Sequence, residues 1–149
     1  MQNNQYDHSN IFAKILRNEI PCDVFMEDDV AIAFRDINPC AKVHMLVIPK
    51  GEFCDFDDFM SRADKKIVAD FFSFVHNVVG ALGLSDSGFR LITNAGPDAN
   101  QEVAHFHVHI LGGENLGNVL AKDASVAQLD RASPSGGEGR RFESSRTRQ

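Results

Sequence analysis

The sequence predicts an α+β domain: a sheet of about five short strands with two helices gathered on one side of it. Three observations predict this. A broad apolar stripe recurs at helical spacing from Ile67 to Leu82, a shorter one runs from Ile11 to Leu16, and the remaining apolar residues fall into brief runs separated by Asp, Asn, Pro and Gly. A chain of 149 residues with 43% hydrophobic side chains fits one domain around one core.

Taken in order, the polar segment 1–8 reads as a flexible lead-in, and Ser9 is placed to cap a helix carrying Ile11, Phe12, Ile15 and Leu16. Val24 to Met26 and Val30 to Phe34 read as a hairpin turned by Glu27, Asp28 and Asp29. Asp36 and Asn38-Pro39 turn the chain again, and Val43 to Ile48 is a continuous apolar strand closed by Pro49 and Gly51. Ser61-Arg62-Ala63-Asp64 resembles a capping box with Asp in the place of Glu. It opens the long helix, which presents Ile67, Phe71, Phe74, Val75, Val78, Val79 and Leu82 along one stripe and stops at Gly83. Phe89 to Thr93 is a strand, 94–102 a loop rich in Gly, Pro, Asp and Asn, and Ala104 to Leu111 the last strand, ended by Gly112-Gly113. The domain is expected over residues 9–120. From 121 to 149 the composition shifts to Ser, Gly, Arg and Pro, and this tail is expected to be disordered and without function.

The formal charge of -6 is unevenly spread. Beyond Ala124 five arginines face three acids, which leaves about -8 on the rest. An acidic domain is a poor partner for nucleic-acid polymers. A mononucleotide is compatible with it, because a pocket holds one phosphate with local N–H groups and imidazoles. No segment approaches the ~18 apolar residues of a membrane span and the start lacks a signal-peptide pattern, so a cytoplasmic protein without membrane contact is expected. Cys22, Cys40 and Cys54 form no Cys-x-x-Cys pair and read as idle thiols.

The chemistry concentrates on the last strand. His105, His107 and His109 alternate with Phe106, Val108 and Ile110, so in a strand the imidazoles share one face and the apolar residues feed the core from the other. A single strand histidine is commonly just a hydrogen-bonded core residue; three in strict alternation make a site. A metal site is one reading, but alternate strand residues rise roughly 6.6–6.8 Å, which puts His105 and His109 about 13 Å apart. At most two could share an ion, with His44 as an additional donor. Phosphorus chemistry is the other reading. A neutral imidazole is nucleophilic at neutral pH, its neighbours can stabilise charged oxygens, and the loop Gly96 to Gln101 can aim N–H groups at a phosphate.

The stretch from Asn94-Ala95-Gly96 through Gln101-Glu102-Val103-Ala104 into HFHVHILGG resembles the signature of the histidine-triad (HIT) superfamily, His-φ-His-φ-His-φ-φ with φ apolar. The resemblance extends over Ile11 to Ile15, Glu27-Asp28-Asp29, Phe34 to Pro39 and His44 to Lys50, in the order and spacing of the Hint branch. It implies the HIT fold, a five-stranded antiparallel sheet continued across a homodimer. It also implies hydrolysis of purine nucleoside phosphoramidates or nucleotidylates through a covalent nucleotidyl-histidine. On that resemblance His107 is the nucleophile, His109 lies by the phosphate oxygens, and His105 and His44 orient from behind. Asn94 and Gln101 hold the phosphate, with Glu102 and Val103 in the same substrate-binding stretch. Asp36 accepts from the ribose, and Phe12, Phe34 and Ile37 wall the base. From the residues alone, Asp36 is equally an Asx turn and the three apolar residues are equally core.

Asn10 and Ala13 stand where some bacterial relatives carry a zinc-binding Cys-x-x-Cys, so neither structural zinc nor any cofactor is expected. Glu102 replaces a serine of animal members, which leaves the leaving-group preference open, and their aromatic, proline-rich C-terminal ending is replaced by Glu114-Asn115-Leu116 and the tail. Dinucleoside polyphosphate cleavage and a binding scaffold with incidental catalysis are the alternatives. Relative rates on the two substrate classes separate the first, and tight nucleotide binding without turnover marks the second.

Overall fold

The computed structural model describes residues 5–120. The elements are α1 (Ile11–Leu16), β1 (Val24–Glu27), β2 (Ala31–Arg35), β3 (Val43–Pro49), α2 (Phe56–Arg62), α3 (Lys65–Ala81), β4 (Phe89–Ile92), a 3-10 turn at Pro97–Ala99, and β5 (Val108–Gly112). Five antiparallel strands form one sheet in the order β1-β2-β3-β5-β4. The expectation for the tail 121–149 lies outside the described residues.

Strand alternation divides the sheet into two unlike faces. Ala31, Ala33, Met45, Val47, Val108 and Ile110 point to one face and pack with Phe59 of α2 and with Phe71, Phe74, Val75, Val78 and Val79 of α3. Phe106 lies in this core, stacked on Phe59 at 4.6 Å between ring centroids and 5.2 Å from Phe71. Burying each such aromatic contributes about 1.5–3 kcal/mol or more, so this side dominates stability. Ile32, Phe34, Leu46 and Ile48 point the other way and meet only Phe12 and Ile15 of the short α1, with a few partly buried neighbours. The helices therefore lie on both faces and not on one, because the apolar runs of β2 and β3 are buried on both sides and each face needs a cover.

Several element boundaries differ from expectation for local reasons. Asn10 caps α1, its side chain accepting from Ala13 N at 2.8 Å, while Ser9 is engaged with Asp7 Oδ1 through both its N and Oγ. The expected capping box is split by a third helix, α2. Asp55 caps it by accepting from Asp58 N, Ser61 Oγ donates to Asp57 O inside it, and Asp64 starts α3 without a side-chain cap bond. Buried Asp58 then accepts from Cys54 N at 2.8 Å and from Arg62 Nε at 2.6 Å, tying the end of the chain after β3 to α2. The last strand begins at Val108, not Ala104. Its partner β3 ends at Pro49, which has no N–H to continue the ladder, and the residues before Val108 make other bonds instead.

Candidate active site

Those other bonds build the site. Phe106 N donates to Phe53 O at 2.7 Å, and Thr93 Oγ1 donates to His107 O at 2.7 Å, so the 105–107 backbone is fixed although it lies outside a strand. The inward-outward alternation survives: Phe106 enters the large core, while His105 and His107 face the α1 side, with the Phe12 ring edge-on to His107 at 5.0 Å.

His107 is buried at 6% exposure, and its Nδ1 lies 2.6 Å from the carbonyl oxygen of His105. A carbonyl only accepts, so Nδ1 carries the proton and Nε2 keeps its lone pair. Burial pushes the His107 imidazole below its ordinary pKa, opposed by the accepting carbonyl and by the charges of Asp36 and Glu102. The ring is neutral near pH 7 with its nucleophilic nitrogen defined.

A second chain of bonds sets His109. Cys40 N donates to His44 Nδ1 at 3.0 Å, which leaves the proton of neutral His44 on Nε2. That Nε2 lies 2.9 Å from His109 Nδ1 and 3.3 Å from Asp36 Oδ2. His109 Nδ1 therefore accepts, and its Nε2 carries a hydrogen as donor. Burial and the neighbouring His107 and His44 push His109 down to about 3, and burial lowers His44 against the pull of Asp36. The His107 and His109 ring centroids are 5.2 Å apart, so a lone-pair nitrogen and an N–H donor belong to adjacent rings.

Asp36, His44 and His109 also bring three ligand atoms within 4.8 Å of one another. The bonding pattern suits a proton chain better than an ion. A neutral imidazole binding metal through Nε2 must carry its proton on Nδ1, and His44 Nδ1 already accepts the Cys40 N–H.

The other expected residues divide. Asp36 makes the Asx turn, Oδ1 accepting from Asn38 N at 2.8 Å, and still presents Oδ2 beside His44. Ile37 is 85% exposed and so is not core, whereas Phe12 and Phe34 are buried and pack edge to face at 5.7 Å. Asn94 is half-buried just after β4, Val103 packs against the α1 cluster, and Glu102 is exposed. Gln101 is fully engaged. Its Oε1 accepts from Gly96 N, and its Nε2 donates to Cys54 O at 2.8 Å and Val103 O at 2.9 Å. Both amide protons are committed, so Gln101 here clamps the loop instead of offering N–H groups to a phosphate. Gly96, at φ 81, makes that loop's tight start.

Three participants carry no signal in the sequence: the carbonyl of Pro49, the peptide N–H of Cys40, and Tyr6. Tyr6 belongs to the segment expected to be flexible, yet its hydroxyl lies 2.5 Å from His105 Nδ1. Backbone groups carry no residue-type signature, and one tyrosine among polar residues has no periodicity to mark it. Cys22 and Cys54 are free cysteines.

A neutral imidazole with a fixed lone pair, set beside an imidazole donor on the α1 face of the sheet at its inner strands, is an arrangement of histidine-triad type. The chain belongs to the HIT domain family, which matches residues 17–116. It is 48% identical over 117 residues to a 13.2 kDa HIT-like protein of Azospirillum brasilense, covering 78% of this chain and 96% of that one. It is 39% identical over 111 residues to the purine nucleoside phosphoramidase of Escherichia coli K12, covering 74% and 92%. Among solved structures it is similar to a HIT family hydrolase from Clostridium thermocellum, with a TM-score of 0.67, 36% identity and coverage of 76% and 99%. No helix among the described residues is long and apolar enough to cross a membrane.

Proposed function

We propose that this protein hydrolyses purine nucleoside phosphoramidates and related nucleotidylates, AMP-X to AMP, through a nucleotidyl-histidine on His107. The observation that carries the reading is the 2.6 Å bond from His107 Nδ1 to the His105 carbonyl, which leaves Nε2 as a free lone pair on a neutral, buried ring. The name of the Escherichia coli relative supports the substrate class.

In the first step His107 Nε2 forms a bond to the α-phosphorus and the bond from phosphorus to the leaving nitrogen breaks, the amine leaving with a proton taken from solvent while His109 Nε2 donates a hydrogen bond to a phosphoryl oxygen. Water then attacks the phosphorus and releases its proton to solvent, the bond from phosphorus to His107 breaks, and the nucleotide leaves with the His107 ring restored. Asn94 and the loop pinned by Gln101 line the phosphate side, near Glu102 and Val103. Asp36 accepts from the ribose, and exposed Ile37 closes over the base above Phe12 and Phe34. Dimerisation fits the same picture. β4 is one of the two terminal strands, with Phe89 and Leu91 each 43% exposed, and a second copy pairing there would continue the sheet. We place the protein in the cytoplasm, with no need of a cofactor.

The test is turnover of an adenosine phosphoramidate carrying a fluorescent amine. Wild type is expected to release the amine and His107→Ala to release none above background. Full turnover in the variant contradicts the reading.

A further inference from the structure

We propose that Tyr6 is a positioning residue for the nucleophile: its hydroxyl donates to His105 Nδ1 and so fixes the ring whose backbone carbonyl holds His107. The proposal rests on His107 being the nucleophile, and nothing in the triad signature points to it.

The direction of each bond follows from chemistry. His105 Nε2 is 2.9 Å from Pro49 O, which can only accept, so the ring proton is on Nε2 and Nδ1 holds a lone pair. The Tyr6 oxygen at 2.5 Å is then the donor. His105 has 0% exposure, and burial lowers it to about 4, so it stays neutral and both ring nitrogens need partners inside the protein. Burial also raises the Tyr6 phenol, which keeps the donor protonated. The Tyr6 ring lies edge-on to His105 at 5.6 Å and to His8 at 5.2 Å.

The chain around Tyr6 is secured as part of the lead-in to α1. Asp7 Oδ1 accepts from Ser9 N and Oγ, Asn10 N donates to Asp7 O, and Arg17 Nη1 donates to His8 O at 2.9 Å. Tyr6 thus reaches His105 from a fixed segment 99 residues away in the chain. Without the hydroxyl, a buried acceptor has no partner. His105 must then move its proton to Nδ1 and lose Pro49, or open toward water; either shifts the carbonyl that sets the His107 tautomer.

The experiment compares wild type and Tyr6→Phe, which keeps the packed ring, by long-range proton–nitrogen NMR of histidine-labelled protein alongside steady-state kinetics. Wild type is expected to show His105 protonated on Nε2 with Nδ1 as a hydrogen-bonded acceptor. In the variant the His105 nitrogen signals move and those of His107 move with them. On the phosphoramidate substrate kcat falls on the order of tenfold with KM within about twofold. Unchanged His105 and His107 nitrogen signals overturn the proposal, as does an unchanged kcat with the signals moved. If wild type itself proves inactive on that substrate, the functional reading fails, and the NMR comparison still decides whether Tyr6 governs the two histidines.

Discussion

The two faces of the sheet are built from the same strands and do opposite things. Under α2 and α3, small alanines and stacked phenylalanines make an uninterrupted apolar core with Phe59, Phe71 and Phe106 fully or almost fully buried. Under α1 the core is six residues, and it gives way to imidazoles whose ring nitrogens are held by backbone and tyrosine groups. The residues 105–110 alternate between the two faces, so each phenylalanine or aliphatic anchor on one side sets the height of a histidine on the other. Rigidity is supplied by one face and spent as reactivity on the other, where buried neutral imidazoles would be a poor choice for stability alone.

Changing one face should therefore leave the other's property largely intact. The largest effect is expected for His107→Ala, a fall in turnover of roughly 10⁴-fold with a change in unfolding free energy within about 1 kcal/mol, read by kinetics and denaturant unfolding. Phe71→Ala should do the reverse, losing about 3–5 kcal/mol of stability while the molecules still folded turn over at close to the wild-type rate. If Phe71→Ala lost activity in the folded state, the two faces would be coupled more tightly than their packing implies.

Acid should act on the imidazole face first. His105 and His109 are held to about 4 and about 3 when folded, against an ordinary 6.5 when unfolded. Both pKa values are lowered on folding, so between those limits the unfolded chain binds more protons, and stability rises with pH up to about 6.5. On acidification it is lost from about pH 6.5 downward, at about 1.4 kcal/mol per pH unit for each histidine in that window. Denaturant midpoints measured from pH 8 to pH 4.5 check this: a plateau above about 6.5 and a steep decline below are expected. The smallest effect is expected for Ile37→Ala. At 85% exposure its loss should leave stability within ±0.5 kcal/mol and raise KM a few-fold.

The same contrast explains what the sequence disclosed. The α3 stripe from Ile67 to Leu82 and the alternation of His105, His107 and His109 with apolar residues are periodic, and the structure keeps both. The second cover of the sheet was less legible, since α1 is only six residues long and nothing local says which face it takes. The short α2 was hidden because Phe56, Phe59 and Met60 give it barely two turns of pattern. The end of the last strand's ladder depended on Pro49, a residue 59 positions away from Val108. The tautomers were illegible for a deeper reason: they are set by the carbonyls of Pro49 and His105, the N–H of Cys40 and the hydroxyl of Tyr6, which no spacing rule connects.

The most direct measurement is to mix wild-type protein with an adenosine phosphoramidate, quench within the first turnovers, and map any added nucleotide by peptide mass spectrometry. A nucleotidyl group on the His107 peptide, absent from His107→Ala, is the predicted result. Turnover without a covalent adduct at any quench time, or an adduct carried by His109, would contradict the assignment of His107 as the nucleophile.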